Sequence, residues 1–142
     1  MTAKQLSVFI ENRKGRLGEV LHVLKENNVN ILSMSLADTT EYGLLRLIVN
    51  DPEHGKTALM ENGFSSLTTD VLVVKIPHTP GSLRDLLEFI SAGDVNVEYM
   101  YGLSIEGDAA SVVMKANDLE KTMQLLRENG IETMTADDIA KL

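Results

Sequence analysis

Residues 4–10 alternate weakly between polar and apolar positions and are rich in β-formers, which predicts a strand. Leu17, Val20, Leu21 and Leu24 then fall at i, i+3, i+4 and i+7, a single apolar stripe along a helix that stops at Asn27-Asn28. Val29 to Ala37 and Leu44 to Val49 return to strand character around a turn near Thr40-Glu41-Tyr42-Gly43. Asp51-Pro52 opens a second helix, a capping carboxylate followed by proline at the first helical position, and Asn62-Gly63 closes it. A short strand from about Ser65 to Thr69 ends the series.

The series then repeats. Gly81 lies 66 residues after Gly15, and the same shift places Leu83 on Leu17, Leu87 on Leu21, Asn96 on Asn30, Met100 on Met34, Val74 on Val8 and Ile76 on Ile10. Asn129-Gly130 follows Asn62-Gly63 by 67, a drift of one residue. In the second copy Val71 to Ile76 is a strand, and Leu83, Leu86, Leu87 and Ile90 reproduce the helical stripe up to Ala92-Gly93. Val95 to Ile105 and Ala110 to Ala116 are strands around Glu106-Gly107-Asp108. Asn117 with Glu120 resembles a capping box for a helix carrying Leu119, Met123 and Leu126. Ile131 to Met134 is a last strand, and Ala136 to Leu142 a short helical tail. Each copy, 1–70 and 71–142, therefore reads β-α-β-β-α-β, the ferredoxin-like order of an α+β fold. Each should carry an antiparallel sheet with both helices on one face, because both stripes need burial. A unit of this size buries only ~60% of its unfolded surface, which favours pairing of the units.

Composition narrows the function classes. The hydrophobic share of 44% and charged share of 24% suit a folded globular chain rather than a disordered one. A net charge of -8 argues against nucleic acid and anionic membranes as partners. The RNA-recognition fold shares this strand order but stacks bases on aromatics, and neither Leu44 to Val49 nor Ala110 to Ala116 holds one. No stretch is apolar enough for a signal peptide or a membrane span, and the absence of cysteine fits a reducing, cytoplasmic setting.

The candidate chemistry sits at the two strand-to-helix turns, Asn12-Arg13-Lys14-Gly15-Arg16-Leu17 and His78-Thr79-Pro80-Gly81-Ser82-Leu83. A helix start aims free N–H groups and the positive end of its dipole at one spot, which favours a carboxylate. Only the first loop adds cations, Arg13, Lys14 and Arg16; the second is stiffened by Pro80. Asn30 with Ile31, and Asn96 with Val97, open the following strands and are expected beside those turns, where the asparagines could hold a polar group of the ligand. The alternative is that the glycines only turn the chain and the asparagines cap neighbouring loops. Tyr99 and Tyr101 share a strand face and are secondary candidates for an interface or the site.

The runs Asn12 to Leu17 with Asn30-Ile31, and Pro77 to Leu83 with Asn96-Val97, resemble the ACT domain, the small amino-acid-sensing module of many enzymes of amino-acid metabolism. The resemblance covers both copies; the second has the usual Pro80-Gly81, and the first departs with Lys14 in the proline position. It implies a stand-alone tandem ACT protein whose ligand, a free amino acid, binds where ACT units meet. It further implies no catalysis, no cofactor, a homodimer, and regulation read by an enzyme in trans. Competing readings are a ligand-free interaction scaffold and an unrecognised small enzyme of amino-acid metabolism. For the enzyme, His22, His54 and His78 lack metal-ligand spacing, and Gly55-Lys56-Thr57 has Asn50 where a phosphate-binding loop needs glycine.

Overall fold

The computed structural model describes residues 2–38 and 41–142, so the tip of the turn expected near Thr40 lies partly outside the described residues. The elements are β1 (Ala3–Glu11), α1 (Arg16–Glu26), β2 (Ile31–Asp38), β3 (Tyr42–Val49), α2 (Pro52–Glu61), β4 (Ser66–Pro77), α3 (Ser82–Ala92), β5 (Val97–Glu106), β6 (Ala109–Ala116), α4 (Leu119–Glu128) and α5 (Ala136–Ala140). The chain is an α+β fold whose sheet pairings are antiparallel. Two compact units emerge, Lys4–Thr69 with Asp137–Leu142, and 2–3 with Asp70–Ala136. The division between Thr69 and Asp70 falls inside β4, so the two strands expected on either side of Asp70 are one continuous strand. The short tail helix is α5, and it belongs to the unit of the first copy rather than the second.

In the first unit β1 pairs with β3 and β3 with β2. Phe9 N–H donates to the Ser65 carbonyl at 3.0 Å, where the last strand of the copy begins. Leu6, Val8 and Ile10 of β1 and Leu45, Leu47 and Val49 of β3 alternate onto one sheet face. That face meets Val20, Val23 and Leu24 of α1 and Ala58 and Leu59 of α2, with Phe64 closing the end. Both helices thus cover the same face, as the two stripes required. Asp51 caps α2, its carboxylate accepting from His54 N–H at 3.2 Å, with Pro52 at the first position.

The second unit repeats the arrangement around Leu72, Val74, Leu86, Ile90, Met114 and Leu126. β4 pairs with β6 and β6 with β5. Two details depart from the sequence pattern. The residue capping α4 is Asp118, which accepts from Lys121 N–H at 3.0 Å, and not Asn117. The spacing of Asn117 to Glu120 looked like a capping box, but the carboxylate one residue later sits at the helix start, matching Asp51. The strand expected over Ile131 to Met134 is a single antiparallel bridge, Val74 with Thr133, flanked by Lys75 N–H to Glu132 O at 2.9 Å and Met134 N–H to Val73 O at 2.8 Å. The chain leaves β4 at once to enter α5, so no longer ladder forms.

Candidate functional site

Both turns place glycine at the helix N-cap in the left-handed region, Gly15 at φ 88° and Gly81 at φ 87°. A Cβ costs least when absent there, which is why glycine recurs at the same point. Neither helix start has a side-chain cap; the Arg16 and Ser82 amides donate to the Arg13 and Thr79 carbonyls at 3.4 and 3.2 Å, and the next two amides of each first turn have no intrahelical carbonyl to meet.

The two loops differ in what surrounds those amides. In the first, Arg13 Nε donates to Glu11 at 2.9 Å on the surface. The guanidinium of Arg16 pairs with Glu19 and lies 4.4 Å from the centre of the Phe64 ring, with its Nε buried and without an acceptor among the described residues. Of the three cations expected to meet an anion, two are therefore engaged with neighbouring carboxylates; Lys14 is exposed and has no ion pair among the described residues. Leu17 packs against the core. Asn12 N–H donates to Glu41 O at 3.0 Å, holding the loop to the start of β3.

In the second loop, His78 N–H donates to Asp108 O at 2.7 Å, and the Thr79 and Ser82 hydroxyls are 2.7 Å apart. Pro80 and Gly81 are exposed, and Leu83 stays 42% exposed where its counterpart Leu17 is tucked in. Leu83 borders a cavity of about 510 Å³ that reaches from this loop across Ile76 and Val112 to Gly102 and Ile105. That volume is within the range of small-molecule sites.

Asn30 and Asn96 do not sit beside the turns. Each helix runs back along the sheet, so the strand after it begins at the far end. Asn12 binds at the start of β3, whereas Asn30 exchanges hydrogen bonds with Asn50 beyond its end, at 2.8 Å to the Asn50 Oδ1 and 3.1 Å from Asn50 N–H to the Asn30 carbonyl. The intervening eight-residue strand is roughly 25 Å long. Asn96 and Asn117 repeat the exchange at 2.9 and 3.1 Å. The main chains of Asn30 and Asn96 thus tie β2 and β5 to the starts of α2 and α4, while their side chains are exposed and make no hydrogen bond among the described residues. Ile31 and Val97 pack against the two cores. Within one unit, then, the glycine loop and the asparagine do not converge on a common ligand.

The residues that do converge on the second loop, Gly102, Ile105, Ala110 and Val112, carry no motif. One signal for them exists in the sequence: the repeat offset drifts from 66 to 67. The drift is located in β5, whose register shifts between Gly102 and Ser104. Gly102 pairs with Val112 as Leu36 pairs with Leu45, and Ser104 pairs with Ser111 as Ala37 pairs with Leu44, which leaves Leu103 as the extra residue. Tyr99 and Tyr101 lie in the same strand, half-buried, and do not line the cavity. Among the described residues no group of three or more His, Cys, Asp or Glu side chains could hold a metal ion, and no helix is long and apolar enough to cross a membrane.

The model of the ACT domain pair family matches residues 1–142. Among solved structures, protein BT0572 from Bacteroides thetaiotaomicron is similar at 39% identity and a TM-score of 0.94, covering 100% of this chain and 98% of that one. The ligand-free regulatory subunit of aspartate kinase from Thermus thermophilus shares the fold at 15% identity and a TM-score of 0.64, covering 88% of this chain and 91% of its own. The corresponding subunit from Thermus flavus shares it at 16% identity and a TM-score of 0.59, over 88% and 90% of the two chains. No curated protein sequence matches. The family match spans both copies of the repeated unit, and the chain belongs to the ACT domain pair family.

Proposed function

We propose that this protein is a non-catalytic regulatory sensor that reversibly binds a free amino acid, with the bound state read by an enzyme in trans or by a change in self-association. The observation that carries this reading is the cavity at the Gly81 loop, a space of small-molecule size bordered by Ser82 and Leu83 at a helix start that no side chain caps. The amides suit the ligand's carboxylate, and the neighbouring volume suits the rest of it. Membership of the ACT pair family supports the same conclusion. One fold relative is a regulatory subunit of aspartate kinase, and that kind of role is what we carry over to this chain.

The separation of loop and asparagine within a unit bears on where sites form. A ligand that uses both must draw them from different units, so we place the complete sites between units, in a homodimer. Asn30 and Asn96 then serve as donors to a neighbour's loop, with side chains left uncommitted in their own unit.

A thermal-shift screen of the twenty amino acids tests the reading. A ligand at 100 times its dissociation constant adds about 2.7 kcal/mol to stability. If none of the twenty raises the melting temperature, the amino-acid reading is wrong. Light scattering at micromolar concentration should give the mass of a dimer, and a strict monomer with or without ligand would remove the between-unit sites.

A further inference from the structure

Beside the second glycine loop a glycine stands where the first unit has a leucine. Leu36 in β2 and Gly102 in β5 occupy equivalent positions, each opposite an inward-facing residue of the next strand, Leu45 or Val112. In the first unit Leu36 leans over Gly43 and Ile10: its Cδ1 is 3.4 Å, and the Ile10 Cγ1 3.0 Å, from the point a Cβ would take at Gly43. The counterparts of Ile10 and Gly43 in the second unit are Ile76 and Ala110, and both line the cavity. With glycine at 102 no side chain from that position overlies them, and both stay partly exposed. The inserted Leu103 bulges the strand at the same place, a device by which edge strands commonly re-aim side chains near binding sites.

The lining is selective by chemistry as well as by size. Ile76, Leu83, Ile105, Ala110 and Val112 give it an apolar surface. The Thr79 and Ser82 hydroxyls at its rim are paired with one another at 2.7 Å. No Lys, Arg, Asp or Glu borders it among the described residues, so apart from His78 at the loop a charged ligand side chain meets no ionisable partner.

Resting on the amino-acid reading above, we propose that the second unit's site takes a bulky apolar amino acid, of the branched aliphatic or aromatic class, and that Gly102 is the residue that sets this specificity. The carboxylate lies at the α3 start and the side chain over Ile76 and Val112. Burying three or more additional carbons there tightens binding by roughly ten- to a hundredfold over alanine.

Calorimetric titration with L-leucine, L-phenylalanine, L-alanine, glycine and L-aspartate tests the proposal on the intact protein and on Gly102→Leu, which copies Leu36. A Cβ at 102 meets nothing within 4 Å, so the variant should fold, and its circular dichroism and melting curve check that it does. Leucine or phenylalanine should bind the parent at least tenfold more tightly than alanine or glycine, and Gly102→Leu should lose that preference. If alanine, glycine or aspartate binds best, or if folded Gly102→Leu binds leucine and phenylalanine like the parent, the specificity proposal falls while the amino-acid reading stands. If none of the five, nor any other amino acid, binds, both fall together.

Discussion

Substituting alanine at Gly81 and at Gly102 separates backbone conformation from space. At both positions a new Cβ would meet nothing within 4 Å, so steric crowding by neighbours cancels out of the comparison. What differs is φ. Gly81 sits at 87°, where an L-residue's Cβ crowds its own carbonyl at a cost of about 1–2 kcal/mol. Gly102 lies in a strand at ordinary φ, where replacing glycine restricts the unfolded chain and stabilises by about 0.4–1 kcal/mol. Gly81→Ala should therefore lower, and Gly102→Ala raise, the stability of a unit that melts by about 4–8 °C per kcal/mol. Urea titration followed by circular dichroism, with paired melting curves, measures both. Total stability of roughly 5–15 kcal/mol leaves the Gly81 variant folded. If the reading of the site is right, that variant also binds more weakly, since the same φ aims the amides at the ligand; a β-branched Val should abolish binding at that loop. Gly81→Ala as stable as the parent would refute the reasoning, because it would mean the turn relaxes out of the left-handed conformation at no cost.

Two further variants test how the elements are held. Asp118→Ala removes the acceptor for Lys121 N–H and should cost about 1 kcal/mol, as Asp51→Ala should for α2, whereas a cost below about 0.3 kcal/mol in urea titrations would show that these caps carry no stability. Arg16→Ala should cost about 1 kcal/mol through lost contact with the Phe64 ring, and Lys14→Ala should stay within about 0.5 kcal/mol; equal effects would show that Arg16 is as unengaged as Lys14.

The periodicity of apolar residues determined which segments are helices and which are strands, because each element needs one continuous buried face. The offset between Gly15 and Gly81 determined that the unit occurs twice. The two left-handed turns were also legible, since only glycine takes that conformation cheaply. Three things depended on the folded chain. The asparagines left the glycine loops because a helix carries the chain back by its whole length, and sequence adjacency to an element does not say which end of the sheet a residue reaches. Arg16 turned from candidate ligand cation to neighbour of Phe64 because residues 48 positions apart meet only once α1 and the end of α2 lie on the same sheet face. The cavity at Gly102 required register. A drift of one residue in the repeat is visible in the sequence, but hydrogen-bond pairing between β5 and β6 decides where the extra residue is absorbed, and so which side chain is missing from the floor of the second loop.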